Sequence, residues 1–467
     1  MNKQQFVKQK KQLYLTSITL IIITFLTAFF PRIVSAVGVP SAINFLHFLI
    51  APFTLAVAIA KSRSKDKKQI AISRELIIAC LLLLGVILTS ALLNKAGVLN
   101  VFLEFLILGE PFLVLLAIVC IPLSPSSLKK IRAVLLISCV INLFTAFIQK
   151  PLIDAGKLSK GGYTPEDAVQ GVFYLSGAGN YVSCSISLGV ALYYFLNAKT
   201  APMWQRVFWL LAAFYQVLIS DSKQIILTFI VAWALLLLTK FNNVGKALMY
   251  LTAFVIFLMA FIWCVQNLDI QGFEAIRYWA GRGHLYTPGG EGFETKTFGI
   301  RSVLSYYQSP LNWLLGLGPG HTIGRLGGWV LRDYESMLLP LGATIHPVSK
   351  EVYYGLFGYW LAKESTLFMP MFSWAGIWGD LGFLGLGVYL YLSYLVWSRL
   401  AHDDFSKFLM MSLLVYGLII TQMEEPAQTM VIAILIGLQW HERRMALRSR
   451  YSSAHQVTDA DTRLEIS

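Results

Sequence analysis

The sequence predicts an all-α polytopic membrane protein. Of its 467 residues, 56% are hydrophobic and only 13% are charged. Apolar runs of roughly 17 to 25 residues recur along the chain, and each is long enough for a helix to cross the hydrocarbon core of a bilayer. The net charge of +13 would suggest a nucleic-acid partner in a soluble domain. In a membrane protein it indicates Lys and Arg held in cytoplasmic loops, so we expect no nucleic-acid partner.

Hydropathy predicts about twelve membrane-spanning helices. The N-terminal stretch "MNKQQFVKQKKQLYLTSITLIIITFLTAFF" has the basic start of a signal peptide. Its apolar run is long and no small-residue cleavage site clearly follows, so we interpret it as a retained first helix. The predicted spans are 13–36, 41–60, 75–94, 98–121, 131–149, 179–198, 207–220, 224–240, 246–267, 379–398, 408–421 and 428–440.

Charge then predicts the orientation of these spans. The positive-inside rule places loops rich in Lys and Arg in the cytoplasm, together with both chain termini. The opposite face receives the acidic turn 422–428, a medium loop at about 150–178, and a long loop, 268–378, between helices nine and ten. The basic segments are 61–74, 128–132, 199–206, 240–246 and 441–450, on the side of the basic N-terminus.

The domain organisation follows from the same pattern. Residues 1–450 form a single transmembrane domain that includes the loop 268–378. This loop is too apolar and aromatic for a free linker, and 335–374 is typical of short amphipathic helices lying on a membrane surface. We therefore expect the loop to form a lid over a site at the outer leaflet. The polar tail, 451–467, is expected to be disordered in the cytoplasm.

The turn "SDSKQ" (220–224) places charges between two apolar helices. In one interpretation Asp221 or Ser222 caps the following helix and Lys223 extends to the interface. In the other, the Lys223 ammonium and the free N–H groups of the helix N-terminus hold a phosphate. The turn itself leaves both open.

The long loop contains Arg301, followed by the glycine turn "GLGPG" (316–320). The glycines do not follow a buried strand, which excludes a dinucleotide-binding fold. Arg301 could be an interfacial anchor, or its two-pronged donor group could bind a diphosphate. Of the outer-face histidines, His284, His321 and His346, each is either an ordinary loop residue or a base near neutral pH.

Aromatic residues are dense in the same loop, and nearby charges almost balance. An interfacial belt explains part of the aromatics, and the others could present faces on which sugar rings stack. This favours a local anion pocket within a mainly neutral groove. Carboxylates near the membrane are costly unless paired or hydrated. We expect Glu424 and Glu425 to be solvated in an outer turn, and Asp380 to cap helix ten unless it is functional.

Three segments in order resemble the O-antigen ligase and O-antigen polymerase superfamily. They are "SDSKQIILTFIVAWALLLL", the segment from Arg301 to "SPLNWLLGLGPG", and "GIWGDLGFLGLGVYL". The family shows a Ser-Arg pair opening a helix, an Arg-led segment ending in a Gly-x-Gly turn, and a Glu-x-Gly-x-x-Gly opening the helix after the loop. The similarity covers about residues 207–400.

The resemblance implies a metal-independent glycosyltransferase of GT-C type, without a cofactor. It would act on glycans linked to undecaprenyl diphosphate at the outer face of the bacterial inner membrane. Lys223 replaces the family arginine, Arg301 matches the loop arginine, and Asp380 matches the acidic residue. The His-Asn pair of the ligases is absent, since Met371 and Phe372 stand there, which favours a polymerase over a ligase.

Under this hypothesis Lys223 and Arg301 hold the diphosphate, and one base deprotonates the acceptor hydroxyl. The candidates for the base are His321, Glu364 and Asp380. Arg325, outside the family pattern, is expected to tolerate replacement by lysine. The implied partners are the lipid-linked oligosaccharide, the growing polysaccharide, a flippase and a chain-length regulator. The alternatives are a ligase and a multi-pass small-solute transporter, although no pair of broken helices stands at matching positions.

Overall fold

The computed structural model describes residues 17–62, 66–161, 164–239, 244–269 and 271–464. Helices occupy most of these residues, and no β-strand occurs among them, so the all-α prediction is confirmed. The basic N-terminal residues that open the first predicted span lie outside the described residues. So do parts of two basic loops, at 63–65 and 240–243.

The first half of the chain forms ten helices that follow the predicted spans closely. They are α1 (Ser17–Phe29), α2 (Pro31–Ala36), α3 (Leu46–Lys61), α4 (Lys67–Asn94), α5 (Val98–Cys120), α6 (Pro125–Asp154), α7 (Gly179–Asn197), α8 (Met203–Ile219), α9 (Lys223–Leu238) and α10 (Val244–Asn267).

The long loop folds into short helices, and three long helices follow it. The loop contains α11 (Gln271–Ala280), α12 (Glu291–Ser305), α13 (Pro310–Leu315), α14 (Leu331–Asp333), α15 (Glu335–Leu338), α16 (Pro347–Leu356) and α17 (Trp360–Glu364). The last three are α18 (Ser373–Arg399), α19 (Asp404–Ile419) and α20 (Pro426–Leu464).

Every predicted span coincides with a helix, but fewer helices are both long and apolar enough to cross a bilayer. Six helical segments in the described ranges combine the necessary length and apolar composition. Length is not the limit for α7 and α20, which have 19 and 39 residues, but α8 and α9 have only 17 and 16. At about 1.5 Å per residue, α8 and α9 fall short of a hydrocarbon core of about 30 Å. The structure therefore shows a helical membrane protein without reproducing the count of twelve spans.

Helix α5 lies at the centre of the helical bundle. Of its most apolar stretch, 78% is buried, compared with none of the corresponding stretch of α10. A helix that is apolar on all sides is expected in such a position. The few polar side chains of α5 are consequently buried as well. His47 Nδ1 of α3 lies 2.8 Å from Glu110 Oε1, and both side chains are almost completely inaccessible to solvent.

Helix α18 begins at Ser373, six residues before the predicted start at 379, and contains a kink at Gly382, where φ is 64°. Asp380 therefore lies inside the helix and is not its N-cap. The cap interpretation of Asp380 is wrong because the apolar stretch before it, "SWAGIWG", is already helical.

The long loop has its own apolar core and is joined to the bundle. Val303, Ile323 and Val352 are fully buried within the loop. A second cluster packs Leu326 and Leu331 of the loop, among others, with Leu103 and Ile107 of α5. The segment is thus a folded cap on one end of the bundle, with its inner surface formed by residues around 316–334.

The C-terminal tail is helical over most of its length, and its predicted disorder in the cytoplasm stays a prediction. Helix α20 continues to Leu464, through most of the segment 451–467 that was expected to be disordered. That segment contains no Gly or Pro that would end a helix, which explains the continuation. Residues 465–467 lie outside the described residues.

Candidate functional site

The glycine turn 316–320 docks on the kink of α18. Leu317 N donates to Gly379 O at 2.8 Å, and Gly318 N donates to Asp380 O at 3.0 Å. The kink leaves the carbonyl groups of Gly379 and Asp380 without helical hydrogen-bond donors, so they can accept from the glycine turn. Two segments that carry the family resemblance, the Gly-x-Gly turn and the segment around Asp380, therefore meet in space.

Glycine makes this close approach possible on both sides. Gly316 has φ of 69° and Gly382 has φ of 64°. A Cβ atom on Gly316 would collide with the carbonyl group of Asp380, and one on Gly382 would collide with that of Leu314. The Ser90 hydroxyl of α4 lies 2.5 Å from Leu315 O and 2.9 Å from Asp380 O. It thereby ties α4 to both segments.

The loop segment after the glycine turn anchors two buried carboxylates through its backbone. Thr322 N donates to Asp380 Oδ1 at 2.6 Å, and Arg325 N donates to Glu424 Oε2 at 2.8 Å. A methyl group placed on Gly324 would lie 3.4 Å from Asp380 Oδ2 and 3.5 Å from Glu424 Oε2. Both side chains therefore face the same gap beside Gly324.

Glu104 of α5 completes a carboxylate cluster with Asp380 and Glu424. It lies close enough to both for their negative charges to repel it, and the three residues are 0 to 2% exposed. One oxygen of each carboxylate has no hydrogen-bond partner among the described residues. A buried group of acids with spare oxygens is suited to accepting a proton.

The prediction that Glu424 is solvated in an outer turn is wrong, because its side chain is buried. The long loop covers it, and burial raises the pKa of its carboxyl to about 7, although hydrogen bonds from Ser373 and Arg325 oppose the shift. Its protonation therefore changes near neutral pH. Glu425 is also shielded, with a side chain 14% exposed and ion-paired with the Arg325 guanidinium.

Beside this cluster lies a cavity, here called the outer cavity. Its volume is about 80 Å³, and its walls come from α2, the turn before α7, the long loop and the turn before α20. This is smaller than the roughly 300 to 1,000 Å³ typical of drug-sized ligand sites, which limits the cavity to a small chemical group. Its charged and aromatic lining residues are Arg32, Arg325, Trp329, Asp333, Tyr334 and Glu425.

The two arginines of the outer cavity differ in their partners. Arg325 is fixed by Glu425, and burial lowers the pKa of its guanidinium to about 10, so it stays charged at neutral pH. Arg32 is half-buried and lies 6.0 Å from the ring centroid of Tyr334. No hydrogen bond or ion pair of Arg32 is seen within the described ranges. The sequence assigned neither arginine to the site.

Lys223 lies at the start of α9, ion-paired with Asp221, whose φ is 48°. Ser222 occupies the N-cap position without a side-chain cap, so the simple capping interpretation does not describe this helix end. The next residue, Gln224, contacts the Thr366 hydroxyl, and Thr366 lines the outer cavity. The start of α9 therefore lies beside the outer cavity.

Arg301 occupies a different position. It projects from α12 and is 44% exposed, and its guanidinium contacts Glu294 Oε2 at 2.7 Å and Thr297 Oγ1 at 2.6 Å. In the part of the chain that the structure describes, no contact joins Arg301 to Lys223 or to the outer cavity. Glu364 is exposed at the end of α17.

His321 has both ring nitrogens occupied. Nδ1 lies 2.9 Å from Leu317 O, and Nε2 lies 2.8 Å from Thr344 Oγ1. Burial lowers the pKa of the imidazole to about 4, so it is neutral at physiological pH. Thr344 Oγ1 also accepts from Gly97 N. His321 therefore connects the loop to the start of α5, and in this arrangement it has no free lone pair for a substrate hydroxyl.

Lys296 is a partly buried lysine that the sequence interpretation missed. Its Nζ donates to Met369 O at 2.9 Å and Ile419 O at 2.6 Å, and burial lowers its pKa to about 7. Gly292 and Gly299 share its face of α12, because residues three and four apart lie on one side of a helix. This spacing of small residues around a lysine is a signal of close packing that was available in the sequence.

Within the described residues, no group of three or more His, Cys, Asp or Glu side chains has the geometry to hold a metal ion. The predicted independence from metals and cofactors stays a prediction. No family model matches the chain. No curated protein matches it significantly.

Proposed function

We propose that this protein is a membrane glycosyltransferase that polymerises oligosaccharide repeat units linked to undecaprenyl diphosphate. The observation that carries the proposal is the buried carboxylate cluster of Glu104, Asp380 and Glu424 next to the outer cavity. A buried acid with a free oxygen beside a cavity lined by hydrogen-bonding and aromatic groups is suited to transfer at a sugar hydroxyl. The motif resemblance supplies the substrate class.

In the proposed reaction the acceptor hydroxyl attacks the anomeric carbon of the donor glycan. The new glycosidic C–O bond forms while the bond to the diphosphate breaks, and the diphosphate leaves with the electron pair. The hydroxyl proton passes to Asp380 or Glu424, whose other oxygens are held by loop N–H groups. Positioned proton transfer of this kind contributes about 10² to 10⁴ in rate.

Lys223 and Arg301 remain the proposed diphosphate ligands, and the structure suggests different requirements for each. Lys223 precedes Gln224, which contacts Thr366 of the cavity wall, and it would exchange Asp221 for a phosphate oxygen. Arg301 would have to release Glu294 and turn inward from the surface of α12. Of the two assignments, that of Lys223 has the stronger geometric support.

We further propose that the helices of the other predicted spans cross the membrane together with these six, giving twelve spans in a GT-C-like arrangement. The alternation of basic and non-basic connections supports this. The long loop would face the outside of the bacterial inner membrane, and both termini would face the cytoplasm.

Glycosyl transfer can be tested directly by an assay of polymer formation. Purified protein in lipid nanodiscs is incubated with a lipid-linked repeat unit, and the products are separated on a gel. We expect a ladder of polymer lengths from the wild type and none from an Asp380→Asn variant of equal thermal stability. A single shifted band would instead indicate a ligase. Absence of any product in repeated preparations would contradict glycosyl transfer.

One observation favours a transporter as the second candidate. The His47–Glu110 pair and Glu104 place ionisable groups inside α3 and α5, where such residues often mark proton or ion paths. A transporter would dissipate or use a pH gradient in proteoliposomes. Proton flux that depends on Glu110 and occurs without any glycan product would support it.

A further inference from the structure

The outer cavity combines opposite charges in equal number. Arg32 and Arg325 line it together with Asp333 and Glu425, so its charged walls are neutral overall when all four groups are ionised. Glu104, Asp380 and Glu424 lie behind this wall, where ionisation of any of them adds negative charge. A doubly charged diphosphate would be repelled by such surroundings at short range.

The same surroundings suit a neutral molecule with many hydroxyl groups. Arg32 supplies N–H donors for which no hydrogen-bond acceptor is seen among the described residues, and Asp333 supplies acceptors at the exposed mouth of the cavity. Trp329 is partly accessible and provides a flat apolar face. Paired donors and acceptors next to an aromatic ring match the two surfaces of a pyranose, which has hydroxyl edges and apolar C–H faces.

Arg325 connects the outer cavity to the carboxylate cluster. Arg325 donates its backbone N–H to Glu424 and its guanidinium to Glu425, so one residue connects the cavity wall to the cluster. Glu425, which follows Glu424 in the sequence, lines the cavity, so a sugar bound there would be separated from the cluster by this wall. The leaving diphosphate does not need the cluster as a base.

We infer that the outer cavity is the acceptor subsite, which binds a sugar ring of the acceptor glycan. Arg32 and Asp333 hydrogen-bond to the hydroxyl groups of that ring, and Trp329 packs against its face. The donor diphosphate is held outside this cavity, towards the start of α9. This inference rests on the proposed glycosyl transfer, and it assigns the two substrates of that reaction to different places.

The test measures binding separately from transfer. The oligosaccharide freed from its lipid carrier and inorganic diphosphate are each titrated against the purified full-length protein in nanodiscs. We expect the oligosaccharide to bind saturably and inorganic diphosphate not to displace it. Asp333→Asn and Trp329→Ala should each weaken oligosaccharide binding about tenfold or more, which corresponds to about 1.4 kcal/mol.

Glu335→Gln provides the matched control, because Glu335 is an exposed acid two residues from Asp333 and does not line the cavity. It should bind the oligosaccharide like the wild type, and thermal unfolding should show all variants folded. Displacement by inorganic diphosphate, or equal oligosaccharide binding by Asp333→Asn and the control, would overturn the inference. Binding that depends on Asp333 in a protein that makes no polymer would leave the subsite intact and reject the transfer reaction.

Discussion

Asp380 and Glu424 are each held by one oxygen and left open at the other. The loop N–H groups fix the orientation of each carboxylate. The free Oδ2 of Asp380 faces the gap beside Gly324, whereas at Glu424 the oxygen nearest Gly324 is the bonded Oε2 and the free one is Oε1. A fixed orientation with a spare acceptor is what proton transfer requires, since the acid is positioned before the substrate arrives. Their anchoring by backbone groups also means that side-chain substitutions in the loop leave the anchors in place.

We predict that Glu424→Gln and Asp380→Asn each reduce the rate of polymer formation about 10²-fold or more, by removing the proton acceptor. The wild-type rate should rise with pH through about 7, because Glu424 must lose its proton to act as a base and its pKa is about 7. Initial rates from pH 5.5 to 8.5 test this. Glu75→Gln, in the exposed pair with Arg399, serves as the control.

The two loop arginines allow a direct comparison. Arg325→Lys should lose a charge-assisted hydrogen bond to Glu425 and cost on the order of 1.5 to 3 kcal/mol in stability or rate, contrary to the expectation from the sequence alone. If Arg301 holds the diphosphate, Arg301→Lys should reduce the rate by a similar factor. Polymerisation rates at matched expression measure both.

Arg399→Lys is the reference for these variants, because Arg399 is also an exposed arginine paired with a glutamate but lies at the other end of α18. An Arg301→Lys variant as active as Arg399→Lys would remove Arg301 from the site. It would leave diphosphate binding to Lys223 and groups near it.

Lys296 should make stability depend on pH. Its pKa falls from 10.5 to about 7 on folding, so the unfolded state binds more protons between those values, and the free energy of unfolding should rise with pH across that window. Glu424, with a pKa raised from 4.5 to about 7, contributes the opposite slope, which lies mainly between those two values and fades above pH 7. Thermal or denaturant unfolding at pH 7, 8 and 9 should show a rise in the wild type. Lys296→Met should flatten the curve, and an unchanged slope would contradict the assignment.

At the level of elements, the kink of α18 determines where the glycine turn can bind. We predict that Gly382→Ala lowers the free energy of unfolding by about 1 to 3 kcal/mol or more, because alanine tolerates positive φ poorly and its methyl group would meet Leu314. Gly387, in the same helix, has no neighbour within 4 Å of an added Cβ. Gly387→Ala should be neutral or stabilising by up to about 1 kcal/mol. Gly382→Ala should therefore melt at a lower temperature than the wild type, and Gly387→Ala at the same or a higher temperature.

The helices were predictable because hydropathy is a local property. The glycine turn and the acidic position were predictable from the motif resemblance, and the structure brings these two together. The burial of Glu424 was not predictable from the sequence. The loop that covers it is about 100 residues away, and the hydrogen bond that joins them comes from the backbone N–H of Arg325. Arg32 was missed for a similar reason, since nothing in its short helix indicates that Trp329 and Asp333 lie opposite.

For the whole molecule, orientation remains the property on which the proposed function most depends. A cysteine introduced at Pro288, in an exposed turn of the long loop, should react with a membrane-impermeant reagent in intact cells. One at Ser126, exposed at the start of α6, should react only after lysis. Four of the native cysteines are buried and should give little background. The reverse pattern would place the outer cavity on the cytoplasmic side and contradict the proposed substrate.

The hydrogen bonds that hold the glycine turn on α18 also have a consequence for biosynthesis. Ser90 is made long before the turn at 316–320, but the carbonyl groups of Gly379 and Asp380 are made after it. The long loop therefore cannot complete its docking until α18 has been synthesised and inserted. Until then its apolar inner surface, including Leu326 and Leu331, has only part of its final partner, a condition that favours aggregation. Newly made protein should consequently be prone to aggregation until α18 is in place, and chains truncated before Ser373 should be degraded even though most of their helices are complete.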